Sequence, residues 1–307
     1  MRILNVGLMI GNPENGFQKA MRKVATDGYL DMQCHAGTQF NSDLVRTARE
    51  FQPNIIFLQI QQENIISEET AKELASIAFT INFSGDIRDT LPQWYLDIGK
   101  HIHLSTFSNM DDVFTCRKNC VASEYLEIGV DHEIYQPRAV SEGYDIVAHF
   151  NHYENMFPLS QYRVDIVNAL RSEFGDKFGV FGNFPSSDGN WNGSQEQESI
   201  NYNKAKIAIN CSHFSVERYS SDRLLRAMAS GCMVLSHDFK GIEQDYVIGR
   251  HLDVFDSIEE LITKCKFYLA HDLARKIIAK NGCNYVHKNH TFEAMCENIT
   301  KLYRQNK

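Results

Sequence analysis

The stretch Ile207–Ser236 reads IAINCSHFSVERYSSDRLLRAMASGCMVLS, and it admits few architectures. Ile207–Cys211 is short, apolar and partly β-branched, which is the composition of a buried strand. Ser212–Tyr219 is polar and has no helical period. Ser220 or Ser221 then offers an N-cap, and Asp222 falls in the first turn, where a carboxylate is favoured. Leu224, Leu225 and Met228 recur at helical spacing, and Gly231 stands where a helix closes on a left-handed residue. Met233–Leu235 opens a second buried strand. In a strand-loop-helix-strand unit of this kind, ligands gather at the carboxyl ends of the strands.

The charges on that helix need explaining. Arg223 and Arg226 are three residues apart and share a face, near the end of the helix dipole that disfavours cations. Two arginines beside free backbone N–H groups make a diphosphate site. The alternative is an Arg226–Asp222 pair at i,i+4, with Arg223 turned to water. Spacing leaves both readings open.

Strand and helix candidates alternate along the rest of the chain. The first half offers strands at 3–10, 30–34, 55–60, 79–83, 101–106 and 121–123, with helices at 17–25, 42–51, 67–77 and 111–117. Periodicity lapses across Tyr135–Gly143 (YQPRAVSEG) and restarts with a strand at 145–150, a helix at 162–174, a strand at 178–181 and a helix at 196–204. Ser257 with Glu260 forms a capping box opening a helix that runs to Ala270. This alternation predicts an α/β fold with parallel, doubly wound sheets. A chain of 307 residues is long enough for two such domains.

Composition removes several classes. The formal net charge of −8 opposes nonspecific nucleic-acid binding, which needs a basic field. The eight cysteines include no Cys-x-x-Cys, and Cys116 and Cys120 have no neighbouring His pair, so neither a disulfide framework nor a zinc site is expected. Reduced thiols fit a cytoplasmic protein. No run approaches a membrane span. The N-terminal MRILNVGLMIG leads straight into Gly-Asn-Pro-Glu-Asn-Gly with no small-residue cleavage site, so it reads as a first strand and not as a signal peptide.

Other candidates sit at strand ends. Gly7, Gly11 and Gly16 surround the first strand-helix turn, without a clean Gly-x-Gly-x-x-Gly. Asp86 follows a buried strand within Asn-Phe-Ser-Gly-Asp-Ile-Arg, where it is either a general base or part of a turn with Arg88. His101 and His103 alternate on a candidate strand but lack a third metal ligand. His149, Asn151 and His152 follow the first strand after the boundary, Gly182 and Asn183 end the next, and His213 follows Cys211.

The segment RYSSDRLLRAMASGCMVLSHDFKGIEQDY resembles the donor-binding segment of GT-B glycosyltransferases, in particular the CgeB-like group, whose pattern is S-D-R-x-x-E-A-M-A-x-G. The likeness continues through the helical tail DSIEELITKCKFYLAHDLARKIIAKNGCNYVHKNHTF and covers about the last third of the chain; the PLS-x-x-R run in FPLSQYR, after His152, resembles the same family. It implies a GT-B fold: Rossmann-like domains over residues 1–137 (acceptor side) and 138–290 (nucleotide-sugar side) facing a cleft, with a helix over 291–307 crossing back. It implies transfer of a hexosyl or pentosyl group from a nucleoside-diphosphate sugar to an acceptor hydroxyl. No cofactor is expected, and the absence of Asp-x-Asp fits metal independence. The donor would meet Asn151, Gly182, Asn183, His213, Tyr219, Ser220, Ser221, Asp222, Arg223 and Arg226. Gly11, Asn12 and Arg88 would lie in cleft loops, and Asp86 would be the base. Arg226 departs from the pattern, standing where relatives have the Glu that holds the donor ribose, and Arg218 replaces a second Glu. Asp222 is the nearest carboxylate left for the ribose. The acceptor stays open among a glycan, a protein, a small molecule and modified DNA. A phage-type enzyme acting on hydroxymethylated pyrimidines is one alternative, and a non-catalytic GT-B-like nucleotide binder is another.

Overall fold

The computed structural model describes residues 1–7, 15–31, 38–188 and 194–307. The chain divides into two compact units, Met1–Ile128 with Phe292–Lys307, and Gly129–Thr291.

The first unit is built on a six-stranded sheet in the order β2-β1-β3-β4-β5-β6. Its strands are β1 (Arg2–Gly7), β2 (Thr26–Asp31), β3 (Ile55–Leu58), β4 (Phe79–Ser84), β5 (Leu104–Phe107) and β6 (Ser123–Tyr125). Every pairing is parallel. β3, β4 and β5 are buried at every position, as expected of parallel strands with helices on both faces. Side-chain alternation sorts β3 between the two faces. Ile55 and Phe57 join a core with Met21 of α1 (Gly16–Val24) and Ile299 of α12 (Phe292–Asn306). Ile56 and Leu58 join one with Leu44 of α2 (Thr38–Phe51) and Leu74 of α3 (Glu68–Ile77). The final helix α12 therefore completes this unit. Phe292 packs edge-on against Phe17, and Lys23 Nζ lies 2.6 Å from Glu293 Oε1.

The second unit carries β7 (Tyr144–His149), β8 (Phe178–Phe181), β9 (Ala205–Asn210), β10 (Met233–His237) and β11 (Asp253–Phe255), parallel, in the order β11-β10-β9-β7-β8. Its helices include α6 (Ser160–Phe174), α7 (Gln195–Asn203), α8 (Asp222–Ala229), α10 (Ile258–Ala270) and α11 (Asp272–Asn289). Gly231 closes α8 with φ 81°, the left-handed position assigned to it.

Four local features differ from the sequence reading. β2 begins at Thr26, four residues ahead of the strand expected at 30–34. β5 starts at Leu104, because His103 is held by its backbone N–H to Thr80 O and by its Nδ1, which accepts from Thr80 N at 3.1 Å. The helix α4 (Gln93–Gly99) and strand β11 are too short to show a period. Residues 129–137, assigned by sequence to the first domain, cluster with the second unit. Val130 bridges Thr291, Ser199 Oγ donates to Ile134 O at 2.8 Å, and Tyr135 is buried.

Tyr135 belongs to a buried polar network centred on Glu198, which is 1% exposed. Glu198 accepts from Tyr135 OH (2.7 Å), Tyr202 OH (3.2 Å) and Arg226 Nη1 (3.0 Å). Arg226 also pairs with Asp222 at 2.5 Å and lies over the Tyr135 ring. Burial disfavours the Arg226 charge, but Asp222 and Glu198 outweigh it and hold the guanidinium above its ordinary value. Removing one partner of a buried pair strands the other charge. Glu198→Ala is thus expected to lower the unfolding free energy by about 3 kcal/mol in a urea titration. A loss below about 1 kcal/mol, the range of exposed pairs, would mean that Asp222 alone satisfies Arg226.

Candidate active site

Strand order decides where a ligand can sit. In the second unit the chain leaves β7 toward β8, then returns to place β9 on the other side of β7. The connections diverge there, and in open parallel sheets such a switch point, here at the carboxyl ends of β7 and β9, is where a ligand crevice forms. Phe150 and Asn151 follow β7. Asn210 ends β9, and Cys211, Ser212 and His213 follow.

A polar latch fixes the entry to α8. Ser221 N donates to Ser212 Oγ at 2.9 Å, and Ser221 Oγ donates to Asn210 Oδ1 at 3.2 Å. Asn210 Nδ2 in turn donates to Ser236 Oγ of β10 at 3.0 Å. The N-cap hydroxyl is thereby drawn away from the helix, and Ser221 makes no side-chain cap. Leu224 N turns back to Ser221 O at 3.0 Å, and the amides of Asp222 and Arg223 at the start of α8 have no capping side chain.

Arg163, in the first turn of α6, completes the cluster. It is 1% exposed, and its guanidinium lies 4.3 Å from the centre of the Phe150 ring. Its Nη1 contacts His213 Nε2, while Nε and Nη2 are buried without partners. Burial, then the nearby Arg223, push its pKa down to about 9. Arg223 Nε is likewise buried and unpartnered. His213 falls to about 3 through burial, Arg163 and Arg223. His149 falls to about 3 through burial, Arg223 and Arg226, with its ring against Phe181 and Tyr202.

The crevice thus holds two guanidiniums with unsatisfied donors and two neutral imidazoles. Burying unpaired charge is costly unless a partner arrives. Such a set suits an oxygen-rich anion, and the α8 N-terminus adds to it. Among the described residues no group of three His, Cys, Asp or Glu is arranged to hold a metal ion.

The structure brings Ser221, Arg223 and His213 together with Arg163 at this end of the sheet, and Ser220 is buried next to Ser221 in the chain. Tyr219 lies close enough to act on Arg163 electrostatically. Asn151, Gly182 and Asn183 form a clasp joining the ends of β7 and β8. Asn183 N donates to Asn151 Oδ1 at 3.0 Å, and His152 N donates to Asn183 O at 2.7 Å. Gly182 has φ 109°, and a Cβ there would lie 2.3 Å from Phe150 O, so the clasp needs glycine. Arg226 and Asp222 bind each other and the Glu198 network. Arg218 forks onto Asp245 at 2.9 and 2.5 Å. Arg163 closes the PLS-x-x-R run (Pro158–Arg163), which resembles the CgeB-like group but does not by itself give the arginine a role. Its signal was the one used for Arg223, an arginine in the first turn of a helix following a buried strand.

In the first unit, Asp86 is exposed in the loop after β4. Gln61 Oε1 accepts from Gly85 N (3.1 Å) and Asp86 N (2.9 Å). Arg88 donates to Gln61 O (2.7 Å) and Asp86 O (3.1 Å) and lies over Tyr95. Arg88 therefore braces the loop that presents Asp86. Gly11 and Asn12 lie outside the described residues.

Residues 163–301 match the sequence model of a family described as Glycosyl transferase-like. The match begins at Arg163 and spans a little under half of the chain. No curated protein sequence matches the chain. Among solved structures, sucrose-phosphate synthase of Thermosynechococcus elongatus superimposes with TM-score 0.65 at 10% identity, covering 99% of both chains. HepE of Anabaena in complex with UDP-glucose gives TM-score 0.64 at 12% identity, over 99% of this chain and 100% of that one. A glycosyltransferase from Rickettsia africae gives 0.63 at 11%, over 99% and 98%. At such identities the likeness is one of fold: two Rossmann-like units on parallel sheets of six and five strands, the GT-B architecture.

Proposed function

We propose that the protein is a glycosyltransferase of the CgeB-like kind, which takes a nucleoside-diphosphate sugar in the crevice of its second unit and transfers the sugar to an acceptor hydroxyl. The observation that carries this reading is the buried, unpaired guanidinium of Arg163 beside Arg223 at the β7/β9 switch point. The Glycosyl transferase-like match over 163–301 supports it. So do neighbours of the same fold whose structures hold UDP or UDP-glucose.

In the proposed reaction the bond from the anomeric carbon to the diphosphate oxygen breaks, and a bond to the acceptor oxygen forms. The diphosphate keeps the electron pair. Its growing charge falls on Arg163, Arg223 and the first turn of α8, donors already in place before the charge develops. No metal is required. Asp86 takes the acceptor proton, with Gln61 and Arg88 holding its loop. The net charge of −8 disfavours a DNA acceptor. A nucleotide binder without transfer is the second reading, favoured by the commitment of Arg226 and Asp222 to the Glu198 network. Hydrolysis of the donor in the absence of acceptor separates the two, since a pure binder shows none.

An arginine kept for a ligand and one kept for the fold respond oppositely to removal. Arg163→Met should raise the unfolding free energy by about 1–2 kcal/mol, because an unpaired buried charge is replaced by an apolar chain. The same change should weaken UDP binding about 10- to 100-fold, the size of a charge-assisted hydrogen bond or two. Urea titration and calorimetry read both quantities. A destabilised variant with unchanged UDP affinity would make Arg163 structural and remove the proposed diphosphate site.

Asp86→Asn should lower turnover about a hundredfold and leave UDP affinity unchanged. Wild-type turnover in that variant would take the base role from Asp86.

A further inference from the structure

The Arg163–His213 contact has a fixed direction. A guanidinium has only N–H donors, so the imidazole nitrogen facing it must accept. The nitrogen facing Arg163 Nη1 is His213 Nε2. Protonating that nitrogen would set two cations against each other, and burial with Arg163 and Arg223 already holds the ring neutral. The one proton of the neutral ring therefore sits on Nδ1. Nδ1 is buried and has no partner.

The ring cannot easily turn to find one. Tyr153 packs edge-on at 5.1 Å and Phe157 lies at 5.0 Å. The backbone is held as well, since Leu159 N donates to His213 O at 3.0 Å. A donor locked in this way, without an acceptor, is expensive in the free protein. It sits among the unsatisfied donors of Arg163 and Arg223.

We infer that His213 Nδ1–H donates a hydrogen bond to the phosphate-bearing ligand held by Arg163 and Arg223, with Arg163 serving as the positioning residue that fixes the His213 tautomer. Arg163 then has two tasks: Nη1 orients the imidazole, while Nε and Nη2 remain for the anion. His213 adds direction without charge. A neutral donor at a fixed angle selects where a phosphate oxygen sits, which two guanidiniums on long side chains do less sharply. The inference rests on the diphosphate reading of the crevice.

Two variants and one spectrum test it. Asn at position 213 can place an amide N–H near the Nδ1 position but cannot reach Arg163. Gln can offer Arg163 an acceptor near the Nε2 position but has a methylene where Nδ1 was. If His213 is a ligand donor, His213→Asn binds UDP within about threefold of wild type, and His213→Gln loses about tenfold, the size of one hydrogen bond. If His213 only props Arg163, the order reverses, and that result overturns the inference. Nitrogen-15 spectra of the ligand-free wild type should show Nδ1 protonated and Nε2 bare, and the opposite tautomer also overturns it. Wild-type protein that fails to bind UDP overturns the diphosphate reading and this inference together. UDP binding with His213→Gln at par overturns the inference alone.

Discussion

A guanidinium removed from water without a carboxylate loses hydration that one imidazole contact and a ring face restore only in part. The second unit keeps Arg163 in that condition, 1% exposed against Phe150, with Arg223 close enough to depress it further. The neighbouring features follow from that constraint. His149 and His213 stay neutral because burial, and then the neighbouring guanidiniums, disfavour their charge. The Asn210–Ser221–Ser212 latch turns the cap hydroxyl off α8 and leaves its first two amides without a side-chain cap. Gly182 lets the ends of β7 and β8 close to within a distance that no side chain permits. Stability given up at one place in this way is characteristic of a site prepared for a ligand.

Partners distinguish these arginines from their neighbours of the same type. Arg226 has Glu198 and Asp222, and Arg218 has Asp245. These two serve the fold. Arg226 stands three residues from Arg223 on the same helix, yet its charge is answered within the protein. The position at which the CgeB-like pattern carries a Glu is thus joined to a structural network, and the carboxylate at its centre, Glu198, comes from α7.

Much of this was legible in the sequence. β3 is an uninterrupted apolar run, and β9 has one at Ile207–Ile209, because both faces of a parallel strand are buried, and such runs read directly. The role of Gly231 follows from its place after Leu224, Leu225 and Met228. Other features depend on contacts distant in sequence. Spacing shows Asp222 beside Arg226 but cannot show Glu198, nearly thirty residues earlier, and so left the Arg226 question open. The boundary fell near 137 on periodicity, whereas Tyr135 is tied to the second unit by its buried hydroxyl and by Arg226 over its ring, contacts that carry no period. Arg163 stands in the PLS-x-x-R run that resembles the family, but its partner ring, Phe150, lies across a loop, so the run alone shows no role for it. The first turn of α6 nonetheless carries the mark that drew attention to Arg223.

The central claim is that the crevice is built around a diphosphate and needs no metal to hold it. Calorimetric titration of UDP, UMP and uridine, each with and without EDTA, tests it most directly. Each phosphate lost removes charge-assisted contacts worth roughly 1.5–3 kcal/mol apiece. The account predicts affinity falling by at least tenfold from UDP to UMP and again to uridine, with EDTA leaving all three unchanged. Equal binding of UDP and uridine, or loss of UDP binding in EDTA, would contradict it.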